Sequence, residues 1–366
     1  MNNSTVLGQA APLALMTDRQ FFHCLKCHGP LTRADIAKKT GISRPTISES
    51  AQRLEKTGLV VETSRETPKK QGRAGVIYEI NAQKGLTLAI AIGVKQIQLR
   101  LTDLSLKVIR EHCFYIDPAW QQEALTEAVI RFIQLAIQDQ APPLLAIGVS
   151  VAVPVNSQTG EIHALPYSKF TIIHGINFKQ ILSEKFACPV TIDNDVNWAT
   201  LAEKTIGIAK DVADFVFIYF GEGIGSGVYL DNHLIRGVAG ISGEIGHIMV
   251  NSEENLQDYV TNHKLQNALE NHEDLTNHPA IKQICQTLAS IAATLNPAMF
   301  VLGGPMTKFN QFIPAIVQEI TPLLFNSVDF VPSDAPNYAP LNGVEAGAYE
   351  LALLYFGLPA PAIEDY

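Results

Sequence analysis

Apolar residues recur at helical spacing near the start of the chain, and glycines divide the pattern into short segments. One amphipathic helix is predicted between Asp18 and Cys27, and Gly29-Pro30 ends it. The stretch Thr32-Arg-Ala-Asp35 has the form of a capping box, so a second, short helix is expected through Lys39. Gly41 supplies the turn that leads to a third helix.

The third helix has an apolar face and a polar face. Ser43 is placed to cap it, and Pro45 lies in its first turn, where a missing N–H has no cost. Ile47, Ala51 and Leu54 share the face predicted to pack inward. A recognition helix presents its N-terminal residues to the major groove. The candidate DNA contacts, which lie at the N-terminal rim or point away from the core, are Ser43, Arg44, Pro45, Thr46, Ser48, Glu49 and Arg53.

A hairpin is predicted after the third helix. Residues 58–61 lead into a strand, residues 64–75 form a polar tip, and residues 76–80 return. The tip offers Lys69, Lys70 and Arg73 to phosphates or to the minor groove. This order of elements predicts a winged helix-turn-helix in residues 1–81, and a small helical protein-interaction domain is the alternative.

Charge divides the chain at the same boundary. Residues 1–81 contain 12 Lys/Arg against 7 Asp/Glu, a net charge of +5, and the remaining residues carry −14, so the total is −9. A basic head suits the phosphates of double-stranded DNA, whereas an acidic body suits a sensor or an enzyme. Ordinary variation in surface charge is the other explanation of the +5.

The rest of the chain alternates short apolar strands with amphipathic stretches. Strands are predicted at 86–92, 97–101, 107–115, 145–153, 190–193, 215–220 and 299–302, with another through 230, and helices at 124–138, 197–205 and 278–294. The near-continuous apolar strand at 145–153 is typical of a sheet covered on both faces. We therefore expect an α/β body of two similar lobes, residues 82–205 and 206–366, with a ligand cleft between them.

Composition narrows the class of protein. The 366 residues are 47% apolar and 17% charged, so a sizeable core can form and global disorder is excluded. The longest uncharged apolar run, 141–155, is too short to span a bilayer, and no basic residue precedes the apolar stretch near the N-terminus. Five scattered cysteines argue against a disulfide framework. We expect a cytoplasmic protein without membrane contact.

The stretch Cys24-Leu-Lys-Cys27-His28 matches the attachment pattern of c-type haem. That attachment needs export, and the helix that carries both cysteines needs its apolar face for the domain core. We therefore interpret both cysteines as small buried apolar residues. A zinc site would need two further ligands, and only His23 and His28 lie nearby, so we expect neither a cofactor nor a metal.

Several segments resemble the ROK family, which contains sugar kinases and sugar-responsive repressors. The stretch GPLTRADIAKKTGISRPTISESAQRLEKTGLV, residues 29–60, is similar to the DNA-binding domain of the family's repressors. Residues 191–203, 220–228 and 236–247 resemble motifs of the body, and the last is close to the family signature. The resemblance implies a winged helix-turn-helix joined to a two-lobed, actin-like (ribonuclease H-like, ASKHA) sugar-kinase-type body.

The resemblance also implies a sugar site. In family kinases an Asn-Asp pair touches the sugar, and the pair here is Asn194-Asp195. A carboxylate beside a sugar hydroxyl can act as a base or accept hydrogen bonds, although Asn-Asp before a helix is also a common cap. Glu244 and His247 match further sugar contacts, whereas His247 considered alone would be a packed histidine. We expect these four residues to bind the ligand.

Departures from the family pattern change the expected chemistry. The kinases' phosphate-binding turn reads Asp-x-Gly-Gly-Thr, and here Ala91, Val94 and Lys95 replace the Asp, the second Gly and the Thr. A phosphate cradle needs close backbone approach and a hydroxyl, so we expect neither kinase activity nor a catalytic residue. The loop after His247 has no cysteine, so we expect no zinc.

Two further departures alter the sugar pocket. Gln257 stands where the family has a sugar-contacting Glu, and Tyr167 stands where it has an Asn. The identity of the effector therefore cannot be copied from relatives.

The favoured function is a sugar-responsive transcriptional repressor that acts as a homodimer or tetramer. Two winged helices would read the half-sites of a pseudo-palindromic DNA operator, and a sugar or sugar phosphate bound between the lobes would change their spacing. Two alternatives are an active sugar kinase with an appended DNA-binding head, and a regulator controlled by a protein partner.

Overall fold

The computed structural model describes residues 12–65, 75–164, 170–334 and 339–358. They form an N-terminal head with a small sheet and a body of two α/β lobes, each built on a five-stranded sheet. Within these described ranges, no helix is long and apolar enough to cross a membrane.

The head contains three helices and a three-stranded sheet. The helices are α1 (Pro12–His28), α2 (Arg33–Thr40) and α3 (Arg44–Thr57). The strands are β1 (Leu31–Thr32), which lies between α1 and α2 in the chain, and β2 (Val60–Arg65) and β3 (Val76–Ile80), which follow α3. Their order in the sheet is β1-β3-β2. This is the predicted winged helix-turn-helix, with β1 as an addition that the pattern does not predict. The tip of the wing, with Lys69, Lys70 and Arg73, lies outside the described residues.

Local capping signals explain where the helices of the head begin and end. Thr32 Oγ1 accepts a hydrogen bond from the Asp35 N–H at 3.2 Å and donates one to Asp35 Oδ2 at 2.6 Å, as in a capping box. Ser43 Oγ accepts from the Thr46 N–H at 3.4 Å. Gly41 ends α2 with a φ of 74°, a conformation that favours glycine.

The two faces of α3 follow the prediction with one exception. Ile47, Ala51 and Leu54 are fully buried. Arg53, which was expected to point away from the core, instead turns back toward the buried Asp18 of α1. Its Nη2 lies 2.7 Å from Asp18 Oδ1, and its Nε lies 2.9 Å from Oδ2. A carboxylate buried without a partner would be costly, and the long arginine side chain can reach it.

The first lobe is a mixed sheet that brings the ends of three parallel strands to the cleft. Its five strands lie in the order β6-β5-β4-β7-β8. They are β4 (Leu86–Ile92), β5 (Gln96–Asp103), β6 (Val108–Tyr115), β7 (Leu144–Val151) and β8 (Val190–Asn194). Helices α4 (Gln122–Ile137) and α5 (Phe178–Phe186) bury apolar residues against this sheet. Because β4, β7 and β8 are parallel, their carboxyl ends lie at the same edge.

The second lobe repeats this arrangement. Its five strands lie in the order β11-β10-β9-β12-β13. They are β9 (Phe215–Phe220), β10 (Ile224–Leu230), β11 (His233–Ile235), β12 (Met299–Gly303) and β13 (Asp329–Pro332). Helices α7 (Leu256–Asn262), α8 (Leu265–Glu270), α9 (Pro279–Leu295) and α10 (Phe312–Ile320) enclose its core. In both lobes an antiparallel meander continues into parallel strands, which confirms the prediction of two similar lobes.

Two helices lie between the sheets. Helix α6 (Asp195–Thr205) contacts strands of both lobes, and α11 (Ala339–Tyr355) packs against α6, β4 and β7. A Cβ on Gly343 would lie 1.9 Å from the Trp198 carbonyl oxygen, so the approach of the two helices requires glycine there. Helix α11 therefore packs on the sheet of the first lobe, although it follows β13 of the second lobe in the chain.

The C-terminal half of α11 also belongs to the core of the head. Arg19 of α1 forms an ion pair with Glu350, and the Lys26 ammonium lies 4.5 Å from the centre of the Tyr349 ring. Residues of the head, the first lobe and α11 form one buried apolar cluster around this contact, which includes Phe21, Phe22, Leu25, Leu104, Leu145, Tyr349, Leu353 and Phe356. One helix thus joins the head to the two-lobed body.

Candidate ligand-binding cleft and DNA-binding head

A cavity of about 570 Å³ lies between the two lobes, at the carboxyl ends of β4, β7 and β8. Ligands of open α/β sheets bind at this edge. The cavity is lined by polar residues from both lobes, which include Lys95, Gln96, Tyr115, Asn194, Asp195, Tyr219, Glu222, Glu244, His247 and Gln257. The four residues expected to bind a sugar come from two separate motifs, residues 191–203 and 236–247, and the fold brings all four to this cavity.

Asn194 and Asp195 stand at the junction of β8 and α6. Asn194 Oδ1 accepts a hydrogen bond from the Val196 N–H at 2.9 Å, and Asp195 Oδ1 accepts from the same N–H at 2.9 Å. Asn194 is therefore the N-cap of α6, which is the alternative that the sequence left open, and Asp195 is the first residue of the helix. Both side chains also line the cavity, so their hydrogen bonds at the start of α6 orient them toward the space between the lobes.

A buried ion pair supports this junction from the second lobe. Arg236 Nε donates to Asp193 Oδ2 at 2.6 Å, and Asn197 Nδ2 donates to Asp193 Oδ1 at 2.7 Å. Asp193 is 1% exposed, so these bonds satisfy a carboxylate that water does not reach. The signature segment 236–247 is thereby attached to the end of β8.

Two carboxyl groups that line the cavity, Asp195 and Glu244, are half-buried. Burial raises the pKa of Asp195 to about 6, against the weaker opposing effect of its hydrogen bonds. Burial, followed by the negative charge of Asp195, raises the pKa of Glu244 to about 7. Glu244 Oε2 lies 3.9 Å from His247 Nε2 on the same loop. The cavity floor thus combines hydrogen-bond acceptors with groups that can hold a proton near neutral pH.

The sequence did not identify two of the lining residues as functional. Burial, then the charges of Asp195 and Glu222, raise the pKa of Tyr219 to about 12, so its hydroxyl remains a donor at neutral pH. Glu222 lies within the glycine-rich motif 220–228, and this position in a family motif is the feature of the sequence that could have identified it as a cleft residue. Gln257 Oε1 accepts from the Ile224 N–H at 3.3 Å, and Tyr167 lies outside the described residues.

The turn after β4 also reaches the cavity. Val94 is 40% exposed there, and the Lys95 ammonium forms an ion pair with Glu222 of the second lobe. Ala91 stands near the end of β4 and offers no charge. This turn therefore presents a branched side chain and an already paired cation toward the space between the lobes.

Among the described residues, no group of three or more His, Cys, Asp and Glu side chains could hold a metal ion. Cys24 is buried as predicted, but the prediction is wrong for Cys27, which is exposed with its Sγ 3.3 Å from His23 Nε2. Cys27 is exposed because it lies in the last turn of α1, after Leu25, the last residue of this helix that is buried.

The N-terminal end of α3 forms an open surface on the head. Ser43, Arg44, Pro45 and Glu49 are exposed, and Thr46 and Ser48 are half-buried. Arg53 is separate from this surface because its guanidinium is committed to Asp18. The candidate DNA-reading positions thus form one rim, with Arg53 in a supporting position behind it.

Together, these features define a class: a two-lobed protein of the sugar-kinase type with a winged helix-turn-helix head. The ROK family pattern matches residues 87–264, and the MarR family pattern matches residues 24–74. Residues 87–264 therefore form a ROK family domain, and residues 24–74 match a MarR-type winged helix on its N-terminal side.

Curated proteins are similar to much of this chain. The xylose repressor of Bacillus spizizenii is 26% identical over 356 residues, which cover 87% of this chain and 91% of the repressor. The xylose repressor of Bacillus subtilis is 30% identical over 61% of this chain and 57% of its own length. Several curated relatives are matched over only 56–57% of their length.

A solved structure shows the same fold over nearly the whole chain. It is a ROK family transcriptional regulator described as a homologue of the E. coli MLC protein, with a TM-score of 0.72 and 19% identity. The match covers 94% of this chain and 98% of that structure. The winged helix and the two-lobed body therefore occur together in both proteins.

We expect Asp195→Asn to stabilise the protein more at pH 8 than at pH 4.5, by about 2 kcal/mol in the free energy of unfolding. A carboxyl group whose pKa is raised on folding contributes stability below its unfolded pKa and loses that contribution as the pH rises through about 6. The amide cannot ionise and can still accept the capping hydrogen bond. Urea unfolding at both pH values measures the difference. Exposed Asp211→Asn serves as the control, and an equal effect of Asp195→Asn at the two pH values would contradict the burial of its charge.

Proposed function

We propose that the protein is a sugar-responsive, DNA-binding transcriptional repressor. The observation that carries the proposal is the joining of a winged helix to a sugar-kinase-type cleft through one shared helix, α11. The proposal is also supported by relatives that are named xylose repressors and N-acetylglucosamine repressors.

The proposed effector is a sugar or sugar phosphate held in the cleft by Asn194, Asp195, Glu244 and His247. Carboxylate and amide oxygens accept hydrogen bonds from neighbouring hydroxyl groups, and a pocket of buried polar partners rejects ligands that leave them unpaired. The support for this assignment is that all four side chains line one cavity of about 570 Å³.

The proposed DNA contacts lie on α3 and on the wing. Ser43, Arg44, Pro45, Thr46, Ser48 and Glu49 would face the major groove, and Lys69, Lys70 and Arg73 of the wing would contact phosphates or the minor groove. We assign Arg53 an indirect contribution, since its ion pair with Asp18 holds α3 against α1. A homodimer, or a tetramer built from it, would place two heads on the two half-sites of an operator.

We propose that the body has no kinase activity. Ala91, Val94 and Lys95 occupy the turn that resembles the kinases' phosphate-binding turn, and Lys95 is paired with Glu222. Transfer of a phosphoryl group depends on positioning and charge neutralisation, which this turn does not supply in the family's manner. Absence of sugar-dependent ADP release is the expected result, and turnover would favour the kinase alternative.

We propose that α6 and α11 carry the signal from the cleft to the DNA. The ligand would contact Asp195 at the start of α6, and α6 packs on α11 where Gly343 meets the backbone of Trp198. The far end of α11 holds the head through Arg19 and Glu350. A ligand shifts this arrangement only by its different affinity for the two states.

Fluorescence anisotropy on DNA from upstream of the protein's own coding region tests the proposal. We expect specific binding, relative to random DNA at one fixed near-physiological salt concentration, that one member of a panel of sugars and sugar phosphates abolishes. Salt must be fixed because phosphate contacts make affinity depend steeply on it. Specific binding that resists every sugar would favour a protein partner as the signal. Without specific binding to this DNA, a selection over the whole genome would locate the operator or exclude one.

We expect Asp195→Ala to leave operator binding intact and to abolish release by the effector, because the substitution removes an acceptor from the cavity. The measurement is the operator dissociation constant with and without the effector found in the panel. Asp211→Ala, which removes an exposed carboxylate outside the cleft, should respond as the native protein does. Unchanged release by the Asp195 variant would exclude this residue from the ligand site.

We expect Arg44→Ala to weaken operator binding by about 1–3 kcal/mol if the guanidinium reads a base edge, with relaxed preference at one base pair. Titration against operators mutated at single positions measures both effects. Uniform weakening on operator and random DNA would make Arg44 a phosphate contact instead. Exposed Gln52→Ala on the same helix is the control.

We expect Glu350→Gln to reduce the effector-induced change in operator affinity, on the order of fivefold, while effector affinity measured without DNA changes little. The substitution keeps the shape of the side chain but removes the charge that holds Arg19. Exposed Glu123→Gln in α4 is the matched control. An unaltered effector response in the Glu350 variant would rule out this contact as part of the route.

A further inference from the structure

An ion pair joins the two lobes at the mouth of the cleft cavity. Lys95 lies in the turn between β4 and β5, Glu222 lies in the turn between β9 and β10, and both side chains line the cavity. They are 74% and 68% exposed, so water screens the pair and its opening has a low free-energy cost. An anion that enters the cavity from solvent therefore meets this pair first, and it can bind Lys95 only by displacing Glu222.

The charged residues that line the cavity are mostly acidic. Among the described lining residues there are three carboxylic acids, Asp195, Glu222 and Glu244, and Lys95 is the single lysine or arginine. A phosphate group entering the cavity would approach the acidic side chains and would find this cation already bound to Glu222. Like charges at close range oppose binding, particularly where water is excluded.

We propose that Glu222 is a specificity-determining residue that makes the cleft select unphosphorylated, hydroxyl-rich ligands over their phosphate esters. It does so because its charge neutralises Lys95, which leaves no uncompensated lysine or arginine among the described lining residues. Hydroxyl groups can still donate to Asp195 and Glu244, which are half-buried and so less exposed than Lys95 and Glu222. The inference rests on the proposed function in one respect, namely that the cleft holds a sugar. It adds that this sugar is unphosphorylated.

Removal of the Glu222 charge tests the inference with inorganic phosphate alone as the probe. We expect Glu222→Gln to bind phosphate on the order of tenfold more tightly than the native protein in isothermal titration calorimetry. The double variant Lys95→Met/Glu222→Gln should lose this gain, which separates the cleft from basic surfaces elsewhere. Glu253→Gln, an exposed carboxylate outside the cavity, is the matched control. Circular dichroism verifies that each variant is folded.

Two results with phosphate would overturn the inference. One is equal binding by the native protein and Glu222→Gln, whether tight or undetectable. The other is a gain that persists when Lys95 is also replaced. Each variant lies outside the four residues assigned to hydroxyl binding, so these results do not depend on the identity of the sugar.

A matched pair of sugars separates this inference from the proposed function. The probes are N-acetyl-D-glucosamine and its 6-phosphate, with D-xylose as a second neutral sugar. Tighter binding of a free sugar than of the ester by the native protein, with a reduced preference in Glu222→Gln, supports the inference. A native preference for the ester overturns it and leaves the proposed repressor standing. If no sugar or ester binds or alters DNA affinity, the sugar response fails, and the phosphate comparison still decides the role of Glu222.

Discussion

The packing of α11 against its neighbours is the constraint on which the arrangement of the molecule depends. This helix lies on β4 and β7, crosses α6 at Gly343, and ends inside the apolar core of the head. Its Tyr349 is fully buried, and the hydroxyl donates to the Leu104 carbonyl oxygen at 2.9 Å. A rigid helix with one end near the cleft and the other in the head makes their positions interdependent, since packed cores resist gradual deformation.

Local signals account for the parts of the fold that the sequence predicted well. Strand limits at 86–92 and 215–220 agree with β4 and β9, and the caps at Thr32 and Ser43 begin their helices as expected. These features depend on residues close together in the chain. The return of α11 to the first lobe was not predicted, because small and apolar residues in that stretch fit either lobe and no local pattern encodes which sheet they cover.

The candidate site was predictable to the extent that motifs carry it. Asn194, Asp195, Glu244 and His247 come from segments that resemble family motifs, and the structure gathers them in one cavity. The pairing of Lys95 with Glu222 could not be predicted from the sequence, because these residues lie in two turns separated by 127 positions. Their contact depends on how the two lobes face each other. Arg53 shows a related limit: helical periodicity gives the direction of Cα–Cβ, whereas a long side chain can bend back toward a buried charge.

The position of α11 in the chain also sets an order of assembly during synthesis. The head, most of the first lobe and the whole second lobe leave the ribosome before this helix does, yet α11 covers one face of the first lobe and completes the core beneath α1. Domains of a growing chain usually fold in sequence from the N-terminus. Here the first lobe and the docking surface of the head stay unfinished until translation has passed the second lobe. The head cannot be fixed in its final position on the body before the sensing cleft is complete.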